Sequence, residues 1–299
     1  MKGYSDMKRF SALILAIIMM LSLFSCAEKG NDKFRIATSF YPVYVAALNI
    51  TDGAQNIELS NLTDSDYGCV HNYMISTDDM KKLDGTRIFI ANGLEMENFI
   101  AKNSLGIPRL EVIESGEDMP NIISENEIDN PHYWMNIENA ISQCDKISDA
   151  LGKADPLNAE VYKENAEKYK AKLSELLEEA RSRMEKLEGK EMVALDDSFE
   201  YFADEFGIKF TNVLSKHGEK ISAEKIDEAV EYIKSRRIKT VYVSMGEEGK
   251  DTTRTIAKAT GCKVVALDTV TRGDINKETK DAYIKAIRKN LDILEENMA

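Results

Sequence analysis

Two of the three histidines in this chain of 299 residues follow apolar runs at loop-like positions. His71 lies in the segment YGCVHNY, and His132 lies in NPHYW beside the only tryptophan. Neutral imidazole presents one nitrogen lone pair in a defined direction and is the commonest protein ligand for transition metals. Turn capping or packing against aromatic neighbours explains either histidine taken alone. Together with suitably placed acidic residues, the two would form a metal site.

Two aspartates end apolar, strand-like runs in the second half of the chain. Asp196 follows MVAL, and Asp268 follows VVAL. Ligands of open α/β sheets bind outside the carboxyl ends of the strands, where we also expect His71 and His132. Two imidazoles and two carboxylates would neutralise a divalent cation, and this set suits Mn²⁺, Zn²⁺ or Fe²⁺. Each aspartate alone is better explained as a cap, but four candidates at predicted strand ends in both halves favour a site.

Other residues are weaker candidates for the same site. Cys69 could bind a soft metal as a thiolate, but a structural role in its turn is favoured. Asp197 could assist the aspartate before it. His217 has lysines on either side, which disfavour a nearby cation, so a solvated loop residue is predicted rather than a replacement ligand. Cys144 and Cys262 lie in helix-like and strand-like runs and are predicted to be buried small hydrophobes.

Residues 1–25 are predicted to be a lipoprotein signal peptide and not part of the fold. A basic start precedes an apolar run from Phe10 to Phe24, which is shorter than the roughly 20 residues of a transmembrane helix. The run ends in LFSC, which resembles a bacterial lipobox. Cys26 is therefore expected to carry the lipid, and residues 26–33 to form a flexible tether. These features predict an exported protein, lipid-anchored on the extracytoplasmic face of the cell membrane.

The acidic composition limits the classes of partner. The formal net charge is −13, and residues 1–25 carry three basic residues and one acidic residue, so their removal leaves −15. An acidic surface argues against binding to nucleic acid or to anionic lipid headgroups. It weakly favours a cation as the ligand.

The rest of the chain alternates strand-like and helix-like segments, which predicts an α/β fold with mainly parallel sheets. The predicted strands are 34–39, 56–62, 87–91, 110–113, 191–195, 208–213, 239–244 and 263–267. The predicted helices in the two halves are 42–51, 76–83, 94–102, 136–151, 198–206, 223–236, 252–260 and 277–297.

Between the halves, the sequence from Asp155 to about Lys186 has no glycine, and its only proline is its second residue. Its apolar side chains recur at near-helical spacing, which predicts one helix of about 30 residues, roughly 45 Å long. We therefore expect two four-stranded α/β lobes joined by one long backbone helix, with the ligand cleft between the lobes. The predicted boundaries are 34–153 for the N-terminal lobe, 154–188 for the linking helix and 189–299 for the C-terminal lobe.

A series of short motifs runs from Phe34 to the end of the chain. They are SFYP at 39–42, CVHNY at 69–73, NGLE at 92–95, PHYW at 131–134, DPLN at 155–158, FEYFA at 199–203 and LD at 267–268. Together they resemble the zinc- and manganese-specific solute-binding lipoproteins of bacterial ABC importers. The resemblance implies two α/β lobes held by one backbone helix, with the metal bound between them.

The resemblance also implies a ligand set of His71, His132, Asp196 and Asp268. Asp196 is a departure, because zinc-type members usually carry histidine at this position and manganese-type members often carry glutamate. Aspartate is one methylene shorter than glutamate, so an incomplete shell would take water or Asp197 as a further ligand. The choice between Zn²⁺ and Mn²⁺ stays open.

The favoured hypothesis is a non-enzymatic, monomeric receptor that captures Zn²⁺ or Mn²⁺, with Fe²⁺ as a further possibility, and delivers it to an ABC importer permease. One alternative is a surface metallohydrolase with an open zinc site, although the chain has no His-Glu-x-x-His motif. Another is an adhesion lipoprotein that has lost metal binding, which the departure at Asp196 keeps open.

Overall fold

The structure, a computed structural model, describes residues 33–64, 67–100, 106–107, 109–214, 221–274 and 277–298. The predicted signal peptide, Cys26, the tether up to residue 32 and His217 lie outside these residues. Among the described residues, no helix is long and apolar enough to cross a membrane.

The first lobe is built on a parallel sheet of four strands in the order β2-β1-β3-β4. These strands are β1 (Phe34–Thr38), β2 (Ile57–Asn61), β3 (Ile88–Ala91) and β4 (Glu111–Glu114). Helices α1 (Tyr41–Ile50) and α2 (Thr77–Leu83) follow β1 and β2. The central strand β3 is apolar and buried throughout, as is typical of parallel strands covered on both faces. This sheet directs the loop after β2 and the chain after β4 towards the same edge.

Two long helices, α3 (Ile137–Ala154) and α4 (Ala159–Met184), follow the first sheet and pack on each other. A small antiparallel hairpin of β5 (Ser124–Glu125) and β6 (Ile128–Asp129) precedes them. Helix α4 has 26 residues, fewer than predicted, because it begins only after Asn158. Asp155 precedes a proline, which disfavours helical backbone at that residue, and its carboxylate accepts hydrogen bonds from Asn158 Nδ2 and Tyr162 Oη.

The second lobe has a parallel sheet in the order β10-β9-β7-β8. Its strands are β7 (Glu191–Ala194), β8 (Lys209–Asn212), β9 (Thr240–Ser244) and β10 (Lys263–Leu267). Its helices are α5 (Glu200–Glu205), α6 (Ala223–Ser235), α7 (Asp251–Thr260) and α8 (Ala282–Met298). The backbone helix α4 contacts α1 of the first lobe and α8 of the second, so it packs against both. The predicted fold, two four-stranded α/β lobes joined by a long helix, is confirmed.

The predicted helix 94–102 is wrong over its described part. The structure has turns followed by one 3-10 turn, Asn98–Ile100. Leu94 and Glu95 have φ values of 52° and 61°, which a right-handed helix excludes. The buried Glu97 carboxylate accepts hydrogen bonds from the backbone N–H groups of residues 92 and 93, and these bonds hold the turn in place of helical ones. The hairpin of β5 and β6 was not predicted.

Candidate metal centre

A small cavity opens at the carboxyl ends of strands from both lobes. The first lobe contributes Cys69, His71 and His132 to its wall, and the second lobe contributes residues at or after the ends of β7, β9 and β10. Its volume is ≈ 180 Å³, which is below the roughly 300–1,000 Å³ of sites for organic ligands. The cavity therefore suits an ion with a few waters.

The two histidines of the first lobe lie beside each other in the wall of this cavity. His71 lies in the loop between β2 and α2, and His132 lies directly before a 3-10 turn, Tyr133–Met135. Their ring centroids are 5.4 Å apart, with the planes inclined at 68°. The position of the two rings agrees with the expectation that both lie at the carboxyl edge of the first sheet.

The orientation of the His132 ring is set by Asn130. The Asn130 Oδ1 atom accepts hydrogen bonds from the backbone N–H of His132 at 3.0 Å and from its Nδ1 at 2.8 Å. A carbonyl oxygen only accepts, so Nδ1 carries the proton and Nε2 carries the lone pair. This tautomer would bind a metal through Nε2, and it is held by the kind of outer hydrogen bond that typically orients such ligands.

Asn130 is held in turn by the second lobe. Its Nδ2 donates to the backbone oxygen of Asp197 at 3.1 Å and to Glu200 Oε2 at 2.9 Å. Its backbone oxygen accepts from Tyr201 Oη at 2.8 Å. Because the amide nitrogen is engaged by these oxygens, the amide oxygen faces His132. The ligand geometry of the first lobe thus depends on contacts with the second.

The second lobe provides two neighbouring carboxylates, both in the cavity wall. The carboxylate of Asp196, just after β7, accepts hydrogen bonds from the backbone N–H groups of Ser198 at 3.0 Å and Ser244 at 3.2 Å. The Ser244 hydroxyl donates to the same carboxylate at 3.1 Å. Asp197 is buried, with its Oδ1 3.8 Å from His132 Nδ1. Carboxylates so placed can neutralise a cation between the lobes.

Asp268, the fourth predicted ligand, is not among the described residues that line the cavity. Its Oδ1 accepts the backbone N–H of Val270 at 2.8 Å, which makes it the cap of the turn after β10. Burial raises the pKa of the Asp268 carboxyl. Thr269 and Thr271 line the cavity instead. The structure therefore places His71, His132 and Asp196 in the wall of one cavity and leaves Asp268 one residue from that wall.

The remaining wall residues include a thiol and a guanidinium. Cys69 Sγ is 3.6 Å from His132 Nε2, and burial raises the pKa of this thiol to about 12. The Arg272 guanidinium lies against Gly68 and Gly246, where a Cβ would be 3.1 Å and 2.7 Å from its nitrogens. Ser244 could have been found from its place at the end of a strand, whereas no sequence signal marks Arg272.

Comparisons with known proteins agree with this architecture. The family model described as "Zinc-uptake complex component A periplasmic" matches residues 36–297. The chain is 24% identical to the high-affinity zinc uptake system protein ZnuA of Bacillus subtilis, over 97% of this chain and 98% of that protein. It is 26% identical to the zinc-binding lipoprotein AdcA of Streptococcus pneumoniae over 97% of this chain, but it spans only 61% of that longer relative.

Solved structures show the same fold. The solute-binding protein FpvC of Pseudomonas aeruginosa, solved in complex with Mn²⁺, superposes with a TM-score of 0.76 at 24% identity, covering 89% of this chain and 98% of that one. The laminin-binding protein Lmb of Streptococcus agalactiae, described as bifunctional with adhesin and metal-transporting activity, gives 0.75 at 21% identity, covering 89% and 100%.

Proposed function

This chain belongs to the family of the periplasmic zinc-uptake component A, and on that premise we propose that it captures a divalent transition metal, Zn²⁺ or Mn²⁺, for import by an ABC transporter. The observation that carries the proposal is that His71 and His132 of one lobe and Asp196 of the other line one small cavity. Neutral nitrogens combined with carboxylate oxygen suit both metals.

The proposed ligands are His71, His132, Asp196 and Asp268. Asp197 is the alternative to Asp268, because Asp197 lines the cavity and Asp268 does not. Asp268 stays in the set because it directly precedes Thr269, which lines the wall. Together with Asp196, either of these aspartates would give the site a charge of −2 when the imidazoles are neutral, which matches a divalent cation.

A receptor accounts for the cavity better than a metallohydrolase. An open catalytic site must hold the metal, an attacking water and a substrate beside a general base. A volume of ≈ 180 Å³ leaves little room for an organic substrate next to a metal. We therefore propose that the protein is not an enzyme and that the metal is its cargo.

Membership of this family also suggests where the protein acts and what it docks on. We propose that Cys26 carries a lipid after removal of residues 1–25, so that the monomeric receptor is anchored on the extracytoplasmic face and docks on an importer permease. The N-terminal lobe at 34–153, the linking helix at 154–188 and the C-terminal lobe at 189–299 would act as units. Because the backbone helix packs against both lobes, metal release would use small lobe movements.

Metal analysis of the purified chain tests this function. Phe34–Ala299 forms one compact unit, so the protein without residues 1–26 is suitable. After incubation with Zn²⁺ or Mn²⁺ and gel filtration, we expect about one metal per chain. His71→Ala and Asp196→Ala should each lose most of it, whereas His217→Ala should keep it.

Unchanged metal content in both site variants would contradict the proposed ligands. A folded wild-type protein that retains no metal would instead favour the adhesion alternative. Hydrolytic activity that disappears with a chelator would favour the hydrolase.

A further inference from the structure

The sulfur of Cys69 lies beside both histidines in the cavity wall. Its Sγ is 3.6 Å from His132 Nε2, and the ligand atoms of Cys69, His71 and His132 all lie within 4.8 Å of one another. We propose that Cys69 Sγ is a direct ligand of the captured metal and that it makes the site prefer Zn²⁺ to Mn²⁺. This proposal rests on the proposed metal-capture function and puts Cys69, in place of Asp268 or Asp197, as the fourth ligand that determines the cargo.

The distances match a tetrahedral zinc site. Bonds of about 2.3 Å to sulfur and 2.0–2.1 Å to nitrogen place those two ligand atoms about 3.6 Å apart at the tetrahedral angle. Cys69 Sγ and His132 Nε2 already have this separation. Two zinc-bound nitrogens are about 3.4 Å apart. The ligand nitrogen of His71 is at most 4.8 Å from that of His132, so the His71 side chain would have to move by at most roughly 1.5 Å.

The tautomer of His132 also favours a metal between its Nε2 atom and the Cys69 sulfur. Its Nδ1 donates to Asn130 Oδ1, which leaves Nε2 as the only ring atom with a lone pair for a metal. Nε2 is also the atom that faces the Cys69 sulfur. Nε2 therefore accepts the contact from the Cys69 thiol, and a cation that replaced the thiol proton would be bound by both atoms.

The surroundings of Cys69 fit a metal ligand better than a residue that only fills space in the core. The sulfur of Cys69 contacts the Met96 thioether at 3.6 Å on one side and the imidazole on the other. Met96 is fully buried, whereas Cys69 lines the cavity. The thioether forms the wall behind the thiol, and the thiol lies at the surface that a metal would contact.

Binding through sulfur favours thiophilic ions. The S–H bond breaks, its proton goes to solvent, and the sulfur electron pair forms the bond to the metal, with no change in oxidation state. The thiolate takes the place of the second carboxylate, Asp268 or Asp197, so that it and the Asp196 carboxylate balance the two charges of the cation. Zn²⁺ and Cd²⁺ accept thiolate readily, whereas Mn²⁺ prefers oxygen ligands.

X-ray absorption spectroscopy of the zinc-loaded wild-type chain is the direct test. We expect one sulfur scatterer at about 2.3 Å together with nitrogen and oxygen at about 2.0–2.2 Å. Cys69→Ser should lose the sulfur scatterer. Cys262→Ser is the matched control, because this partly buried cysteine lies at the start of β10, away from the cavity, and it should keep the spectrum.

Competition between the two metals tests selectivity in the same proteins. Cys69→Ser should lower Zn²⁺ affinity at least about tenfold and change Mn²⁺ affinity much less. A wild-type zinc spectrum without sulfur overturns the Cys69 proposal and leaves metal capture standing, and it needs no variant to fold. A wild-type chain that binds neither metal overturns both.

Discussion

Replacing Asn130 with alanine should weaken metal binding strongly although it removes no ligand. Asn130 Oδ1 accepts from the backbone N–H and Nδ1 of His132, and its Nδ2 donates to the Asp197 backbone oxygen and to Glu200 Oε2. Without the amide, the imidazole is no longer fixed in the tautomer that presents Nε2 to the cavity. Such outer partners of metal-bound histidines contribute about 10–100-fold in affinity, and we expect a loss in that range.

The same substitution should also lower the free energy of unfolding. Asn130 is 4% exposed, so its four side-chain hydrogen bonds are largely shielded from water. Each buried polar group left without a partner costs about 1–3 kcal/mol, and partial access of water to the cavity reduces the sum. We expect a net loss of about 2–4 kcal/mol for the metal-free protein.

Competition with a chromophoric chelator measures the affinity, and urea unfolding measures the stability. Asn158→Ala is the matched control, because Asn158 is also buried and its amide bonds Asp155 and the backbone of Gln55, remote from the cavity. This control should lose stability and keep its affinity. Metal affinity of folded Asn130→Ala within twofold of wild type would show that the Asn130 amide does not orient a metal-binding imidazole.

Three further predictions concern charge, packing and the second lobe. Burial raises the pKa of Glu97 from 4.5 to about 7, so the folded state retains a proton that the unfolded state releases in this range. The free energy of unfolding of the wild type should therefore fall relative to that of Glu97→Gln as the pH rises from 4.5 to 7. Urea unfolding at several pH values measures both, and a difference between the two proteins that does not change with pH would contradict this. Gly116→Ala should lower the free energy of unfolding by about 2 kcal/mol or more, because a Cβ would lie 2.6 Å from a backbone carbonyl oxygen. Gly249→Ala, where a Cβ would have nothing within 4 Å, is the control and should leave thermal unfolding nearly unchanged. Ser244→Ala removes a hydroxyl that donates to the Asp196 carboxylate and should weaken metal binding about tenfold in the chelator assay, an effect absent if that carboxylate is not a ligand.

The strands could be predicted because each one is a short apolar run bounded by polar or turn residues. Buried parallel strands such as β3 need no more information than this. The segment from Leu94 could not be predicted, since its left-handed backbone depends on a buried glutamate that bonds two N–H groups. Propensity describes local preference, and here a non-local burial outweighs it.

The candidate site was partly predictable for a similar reason. The rule that ligands bind at the carboxyl ends of parallel strands led to His71 and Asp196, and both line the cavity. It could not predict which side chain after β10 faces inward, because the turn there is fixed by the Asp268 cap on Val270. The position of Cys69 depends on the path of an irregular loop, so its contact with His132 is visible only in three dimensions.

The proposed function requires that one divalent metal is bound between the lobes by groups from both of them. The most direct measurement is an anomalous difference map from a crystal of the zinc-loaded protein. We expect one strong peak bonded to His71 and His132 of the first lobe and to at least one aspartate, Asp196, Asp197 or Asp268, of the second. A peak bonded to residues of one lobe only, or one outside this cavity, would contradict it.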